Sequence, residues 1–240
     1  MSRFFTDDIH GDTATITGGD VHHMTRVLRL RVGDTVEICD GDGTDYTGAI
    51  QSMAEDRVVC SLAGGHLSPT EPVHAVTLFQ GLPKTGKMET IVQKCVELGV
   101  VSIVPTMMRR CVSVPDGKEL EKKRARWQKV AEEAAKQSRR GRIPEILPAV
   151  TLDKFDFSQF DTVLTAYELE KANTLRTALR TEKIGQKIAL VIGPEGGLEA
   201  SETAHIVACG GALVSLGARI LRTETAGMAM LAQILYEVEP

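Results

Sequence analysis

Two rhythms of hydrophobic and polar positions divide the chain. Residues 13–17 alternate with period two, and residues 35–39, 46–53 and 57–62 continue the habit, which predicts strands. Asp40-Gly41-Asp42-Gly43 predicts a hairpin turn between two of them. Residues 21–30 read as a short helix. Residues 1–70 are therefore expected to form a small β-barrel or sandwich. Residues 64–72, GGHLSPTEP, read as a linker because glycine, proline and polar residues replace the pattern. Beyond it, strands alternate with helical spacing. Residues 75–80 predict a strand. Met88, Ile91, Val92, Cys95 and Val96 fall on one helix face, with Gly99 just past its end. Residues 101–104 predict a strand closed by Pro105. Leu120, Trp127, Val130, Ala131 and Ala134 mark one face of a long helix. Residues 162–166, 188–192 and 212–215 predict further strands, each followed by a helix. Residues 71–240 are thus expected to build a parallel sheet with helices on both faces, an α/β fold.

Composition adds bounds. The 240 residues are 42% hydrophobic and 25% charged, which suits one large or two smaller globular domains. No apolar run approaches the ~18 residues of a membrane span, and the first residues carry no apolar stretch of signal-peptide length. Five cysteines, none spaced C-x-x-C, imply no disulfide framework. A reduced, cytoplasmic protein is expected. Net charge is −4, but residues 109–142 hold twelve Lys or Arg against five Asp or Glu. That segment carries +7 and leaves −11 for the rest, so it can contact a phosphate backbone locally.

Several chemistries fail on residue type. Gly81-Leu82-Pro83-Lys84-Thr85-Gly86-Lys87-Met88 imitates a phosphate-binding loop, yet Met88 replaces the hydroxyl needed for Mg²⁺ and Pro83 lacks an N–H. Counted from Asp40, the sixth and twelfth positions hold Asp45 and Gln51 instead of the Gly and Glu of a calcium loop. No zinc spacing occurs, and no metal is expected. Cys95 and Cys209 read as core residues on apolar helix faces. What remains are two glycine-rich turns, IGPEGG at residues 192–197 and SLGARILRTETAG at residues 215–227, each after an apolar strand and before a helical pattern. Such turns on neighbouring strand ends make a pocket walled by backbone, where glycine permits close approach. Arg219, Arg222 and Glu224 between those glycines and the helix start mark it as a candidate site.

GPEGG followed by LG-x-RILRTETA is similar to the paired C-terminal motifs of the SPOUT methyltransferases. Within them the chain resembles the RsmE family, which methylates N3 of a uridine in 16S ribosomal RNA. The likeness extends to RFF at residues 3–5, HHMTRVLRLRVGD at 22–34, QGLPKTGKMETIVQKCVELGV at 80–100 and RWQKVAEEAAKQSRRGRIPEI at 126–146. Leu198-Glu199 departs from the family, which has Phe then Ser or Thr after GPEGG. The resemblance implies a PUA-like β-barrel followed by a SPOUT α/β domain with a trefoil knot. It implies a homodimer acting on the small ribosomal subunit's RNA with S-adenosylmethionine as methyl donor.

By the same resemblance three loops bind the donor. The first is Ala166, Tyr167 and Glu168. The second is Ile192, Gly193, Pro194, Gly196 and Gly197. The third is Ser215, Leu216, Gly217, Ile220, Leu221, Arg222 and Thr223, with Thr225 beyond it. Lys84, Lys87 and Glu89 resemble positions at the site edge. Arg3, Arg26, Arg29, Lys84, Arg109, Arg110, Arg139 and Arg140 are the basic residues expected to meet RNA. Loss of the N3 proton spreads negative charge over O2 and O4, so a cation near those atoms helps. Arg222 is the first candidate and Arg219 the second. Glu195 could take the proton, or water could. A non-catalytic RNA-binding assembly factor, and a SPOUT enzyme acting on another RNA position, remain alternatives.

Overall fold

A computed structural model describes residues 1–84, 86–181 and 184–239. The chain forms two compact units. One comprises Met1–Glu71 with Ala135–Ile143; the other holds Pro72–Ala134 and the residues from Pro144 onward.

The first unit is a curled sheet. Its strands are β1 (Arg3–Phe5), β2 (Ile9–His10), β3 (Thr13–Thr17), β4 (Thr35–Cys39), β5 (Thr44–Met53) and β6 (Arg57–Leu67), in the order β1-β4-β5-β6-β3-β2. The pairings are antiparallel except for β1 with β4. The edge strands β1 and β2 are joined by residues 6–8 alone, so the sheet must bend until its edges meet. Thr6 spans the seam: its N–H donates to Cys39 O at 3.0 Å and its hydroxyl to Thr15 O at 2.6 Å. Inward positions of the alternating strands fill the interior, among them Phe4, Ile16, Val36, Ile38, Ile50 and Val58. Helix α1 (Gly19–His22) and a π-helical turn (His23–Val27) contribute Val21 and Met24 to the same core.

Strand β6 runs to Leu67, into the stretch that reads as linker. Gly65 is there for a packing reason: a Cβ would stand 2.7 Å from the Tyr46 ring on β5. Glycine here marks close approach within a strand rather than a break.

Two arginines expected to meet RNA are interior braces instead. The Arg3 side chain is 4% exposed and pairs with Asp45 and Glu37. Arg140 is 3% exposed, and its Nε and Nη2 donate to the two Glu71 carboxylate oxygens at 2.8 Å each. Glu71 also accepts the N–H groups of Gly141 and Arg142. Burial alone would raise the Glu71 pKa, but the Arg140 guanidinium and those N–H groups outweigh it and hold it below its ordinary 4.5. A carboxyl with a depressed folded pKa adds stability above its unfolded value and loses it as pH falls through the folded one. Arg140→Met should therefore lose about 3 kcal/mol in urea unfolding at neutral pH, because a partly buried carboxylate loses its partner. Its stability should also decline less than wild type below pH 4.5, the unfolded-side limit of that window.

The second unit is a parallel sheet. In chain order it holds β7 (Ala75–Gly81), α2 (Lys87–Glu97), β8 (Ser102–Met107), α3 (Gly117–Gln137), β9 (Glu145–Ile146) and β10 (Val150–Thr151). There follow β11 (Thr162–Ala166), α4 (Leu175–Thr181), β12 (Lys187–Ile192), α5 (Ala200–Ala208), β13 (Ala212–Val214) and α6 (Thr223–Val238). The described strands lie in the order β10-β8-β7-β12-β11-β13, with β9 also on β8, and every described pairing is parallel. One face packs Phe79, Val104, Ala189 and Val191 against Phe157 and Ile206. The Phe79 ring lies 4.8–5.5 Å from those of Phe155, Phe157 and Phe160. Helix α6 lies against β7, β12 and α2. No helix among the described residues is long and apolar enough to cross a membrane.

Pro105 does not close β8, which continues to Met107. Leu147 donates to Ile103 on the outer edge, while Thr106 O accepts from Leu82 on the β7 side. Pro105 therefore faces the break between β9 and β10, where no ladder bond needs its missing N–H. Cys209 caps the end of α5 and is half-buried. Cys95 is fully buried, and burial pushes its thiol up to about 12.

Candidate active site

Strands β12, β11 and β13 lie side by side and run in one direction, so their carboxyl ends share one edge. The loops that leave them converge there on a cavity of about 900 Å³, which Lys87 of α2 also lines. This is the crevice where open parallel sheets bind ligands. The loop after β11 is stitched to β13: Tyr167 donates to Val214 O at 3.0 Å and Ser215 to Asn173 O at 2.8 Å. Glu170 shapes the same loop by accepting the N–H groups of Asn173 and Ala172, bonds that depress its pKa. After β12 the chain makes a tight turn in which Gly197 donates to Pro194 O at 2.9 Å. Gly197 has φ +72°, and a Cβ there would meet Glu168 Oε1 at 2.5 Å. A reciprocal capping box between Glu199 and Glu202 then starts α5.

The three loops read from the sequence line this one cavity, from Ala166–Glu168 through Ile192–Gly197 to Ser215–Thr223. Thr225 does not: its side chain is exposed on the first turn of α6, and its N–H is bound to Arg222 O. Glu170, Lys171, Thr174 and Ala226 also line the cavity. They carry no motif, and only the pairing of β11 with β13 brings the first three to the edge.

Arg222 is the residue before α6, exposed and facing the cavity, and Arg219 lines it too. Among the described residues neither guanidinium has an ion-pair partner. Glu195 and Glu224 instead share Lys87, whose Nζ lies 3.0 Å from each. The bond to Glu224, then that to Glu195, raises the Lys87 pKa. Burial would raise the Glu195 pKa, but backbone N–H groups and Lys87 hold it below 4.5. Glu195 also accepts the Lys84 N–H at 3.1 Å. A carboxylate so engaged is a weaker base than a free one. Its role is to tie the glycine loop to α2.

Lys84 is exposed at the edge of this region, and Glu89 turns away to pair with Arg126 at 3.2 Å. Thr85, in the imitation phosphate loop, lies outside the described residues. Of the remaining basic residues, Arg26, Arg29 and Arg139 are exposed. Arg109 pairs with Asp153 at 2.8 Å. Arg110 braces the glycine loop through Glu199 at 2.9 Å and Gly196 O at 3.1 Å. Among the described residues no group of three His, Cys, Asp or Glu could hold a metal ion.

A curled, mainly antiparallel β unit and a parallel sheet with a backbone-walled cavity define a class: the RNA methyltransferase domain family matches residues 69–235, and the RNA methyltransferase PUA domain family matches residues 16–63. The ribosomal RNA small subunit methyltransferase E of Bacillus subtilis is 35% identical, covering 95% of this chain and 91% of its own. That of Synechocystis is 33% identical over 92% of this chain and 72% of its own. The structure of the Neisseria gonorrhoeae enzyme, solved with S-adenosyl methionine bound, superposes with a TM-score of 0.85 at 29% identity, covering 98% of this chain and 97% of that one. The chain belongs to the ribosomal RNA small subunit methyltransferase E family.

Proposed function

We propose that the protein transfers a methyl group from S-adenosylmethionine to N3 of a uridine in 16S ribosomal RNA, as a cytoplasmic homodimer. The observation that carries this is the cavity at the ends of β12, β11 and β13. Its residues fit the donor. Gly197, with φ +72°, holds a left-handed conformation that favours glycine, so backbone forms the wall there. Leu198, Leu216, Ile220 and Leu221 supply apolar lining, and Glu168 and Glu170 supply acceptors. The family relation to an enzyme solved with this donor supports the same reading.

When bound, the donor supplies an electrophilic methyl on a sulfonium. The chain's own residues hold the two reactants in line and stabilise charge. Arg222, at the cavity edge with no ion-pair partner among the described residues, meets the charge developing on O2 or O4 of the uracil. Arg219 adds positive potential. With Glu195 engaged by Lys87, the N3 proton passes to water. The path of the chain supports a trefoil knot: after β13 at the sheet edge it returns past the ends of β11 and β12 to lay α6 against β7. Ile220, 86% exposed at the cavity rim, and Leu169, 68% exposed in the neighbouring loop, support a second copy covering that rim.

Calorimetry tests the reading. S-adenosylhomocysteine is expected to bind without Mg²⁺, and 16S RNA from a deletion strain should accept a methyl on uridine N3. ATP binding with Mg²⁺ and no response to the methyl donor would sink it. Donor binding absent and RNA binding present would favour an assembly factor.

A further inference from the structure

Gln80 stands near the carboxyl end of β7, fully buried, and its side chain does not line the cavity. Its Nε2 donates to Thr223 Oγ1 at 2.8 Å and to Gly81 O at 3.0 Å. The Thr223 hydroxyl donates in turn to Gly193 O at 2.7 Å. The direction of this chain is forced. A carbonyl oxygen only accepts, so the Thr223 hydrogen points at Gly193 and its lone pair takes the Gln80 N–H. Turning the amide over would set Oε1 against the Gly81 carbonyl and against a hydroxyl whose hydrogen is already committed.

In this orientation Gln80 Oε1 is buried with no hydrogen-bond partner among the described residues. An orphaned acceptor is destabilising, and an apolar side chain of the same shape would avoid it. Gln80 is therefore poor filling for this core. What it achieves is a connection. One side chain ties β7 to the first residue of α6 and, through it, to the glycine loop after β12. Thr223 directly follows Arg222. At the rim, Lys87 links the same loop to the same helix start through Glu195 and Glu224. The rim link is exposed to water and screened; the Gln80 link is not.

We propose that Gln80 is a positioning residue: through Thr223 and Gly193 it holds Arg222 in register with the glycine loop, without touching either reactant. This rests on the methyl-transfer reading of the cavity. A reactant displaced by an ångström costs rate more than affinity.

The test is Gln80→Met, which keeps the shape and removes both amide ends. In the ligand-free protein, amide exchange at Thr225, Ala226 and Gly197 should quicken by about 10-fold, because their turn loses its tie. The single-turnover rate should fall by about 10-fold. Dissociation constants for S-adenosylhomocysteine and RNA should stay within about 3-fold, and the melting temperature within about 3 °C. In an Arg222→Ala background the same change should cost nothing further, since its effect runs through Arg222. An equal loss in both backgrounds overturns the proposal. So does unchanged amide exchange, or a joint fall of melting temperature, donor affinity and rate. A wild type that binds no S-adenosylhomocysteine would instead defeat the methyl-transfer reading and the positioning role with it, while the exchange experiment would still decide whether the tie exists.

Discussion

Arg222→Ala is expected to slow a single turnover by about 10²-fold, the cost of removing one donor that meets developing charge. Dissociation constants for S-adenosylhomocysteine and RNA should stay within about 3-fold of wild type. The geometry makes this separation sharp. The carboxylates that could have tied Arg222 down, Glu195 and Glu224, are both held by Lys87. Its guanidinium has no ion-pair partner among the described residues, so truncating it orphans no buried charge. Its backbone oxygen, which accepts from Thr225 and Ala226, survives the substitution. The melting temperature should therefore hold. Arg222→Lys should recover little, because a point charge cannot span two acceptors as a guanidinium does. Arg219→Ala should cost less than Arg222→Ala, since Arg219 lies farther from the helix start along the loop. A fall in melting temperature and donor affinity alongside the rate would withdraw the assignment.

The alternation of strand and helix beyond residue 72 was legible because period is a local property of sequence. So was the cavity: glycine pairs after apolar runs need only the strand ends to be neighbours, and β12, β11 and β13 are. What stayed hidden depends on contacts distant in sequence. Arg140 belongs to a run that reads as a basic surface, yet Glu71, far away in the chain, encloses it. Arg3 is withdrawn by Asp45 in the same way. Gly64-Gly65 has the composition of a linker, and only the structure explains why a strand needs it: Gly64 has φ +67°, and the Tyr46 ring crowds Gly65. Pro105 ends a strand unless its missing N–H faces a gap, and the gap is made by residues 147–149. Gln80 reads as one polar residue at the end of a strand, and its partner Thr223 lies 143 positions on.

Gly81→Ala should weaken S-adenosylhomocysteine binding by about 10- to 100-fold. Gly81 ends β7 beside the glycine loop, and its φ lies outside the left-handed region, so conformation does not require glycine there. Space does. A Cβ would stand 2.6 Å from Pro194 N, 2.7 Å from Pro194 Cδ and 2.9 Å from Gly193 C. These atoms are backbone and a proline ring, and none can rotate away as a flexible side chain could. The loop must shift, and it is the loop that lines the cavity. Overpacking of this kind costs about 1–3 kcal/mol. Since about 1.4 kcal/mol is tenfold in affinity, that range corresponds to the expected loss if the loop returns to its place on binding. Gly117→Ala supplies the comparison. It makes the same chemical change at the start of α3, where a Cβ meets nothing within 4 Å. It should leave affinity unchanged. Calorimetry on both variants, with melting temperatures alongside, reads the difference. Equal affinities for Gly81→Ala and wild type would show that the loop yields at no cost, and the rigid backbone wall would have to be abandoned.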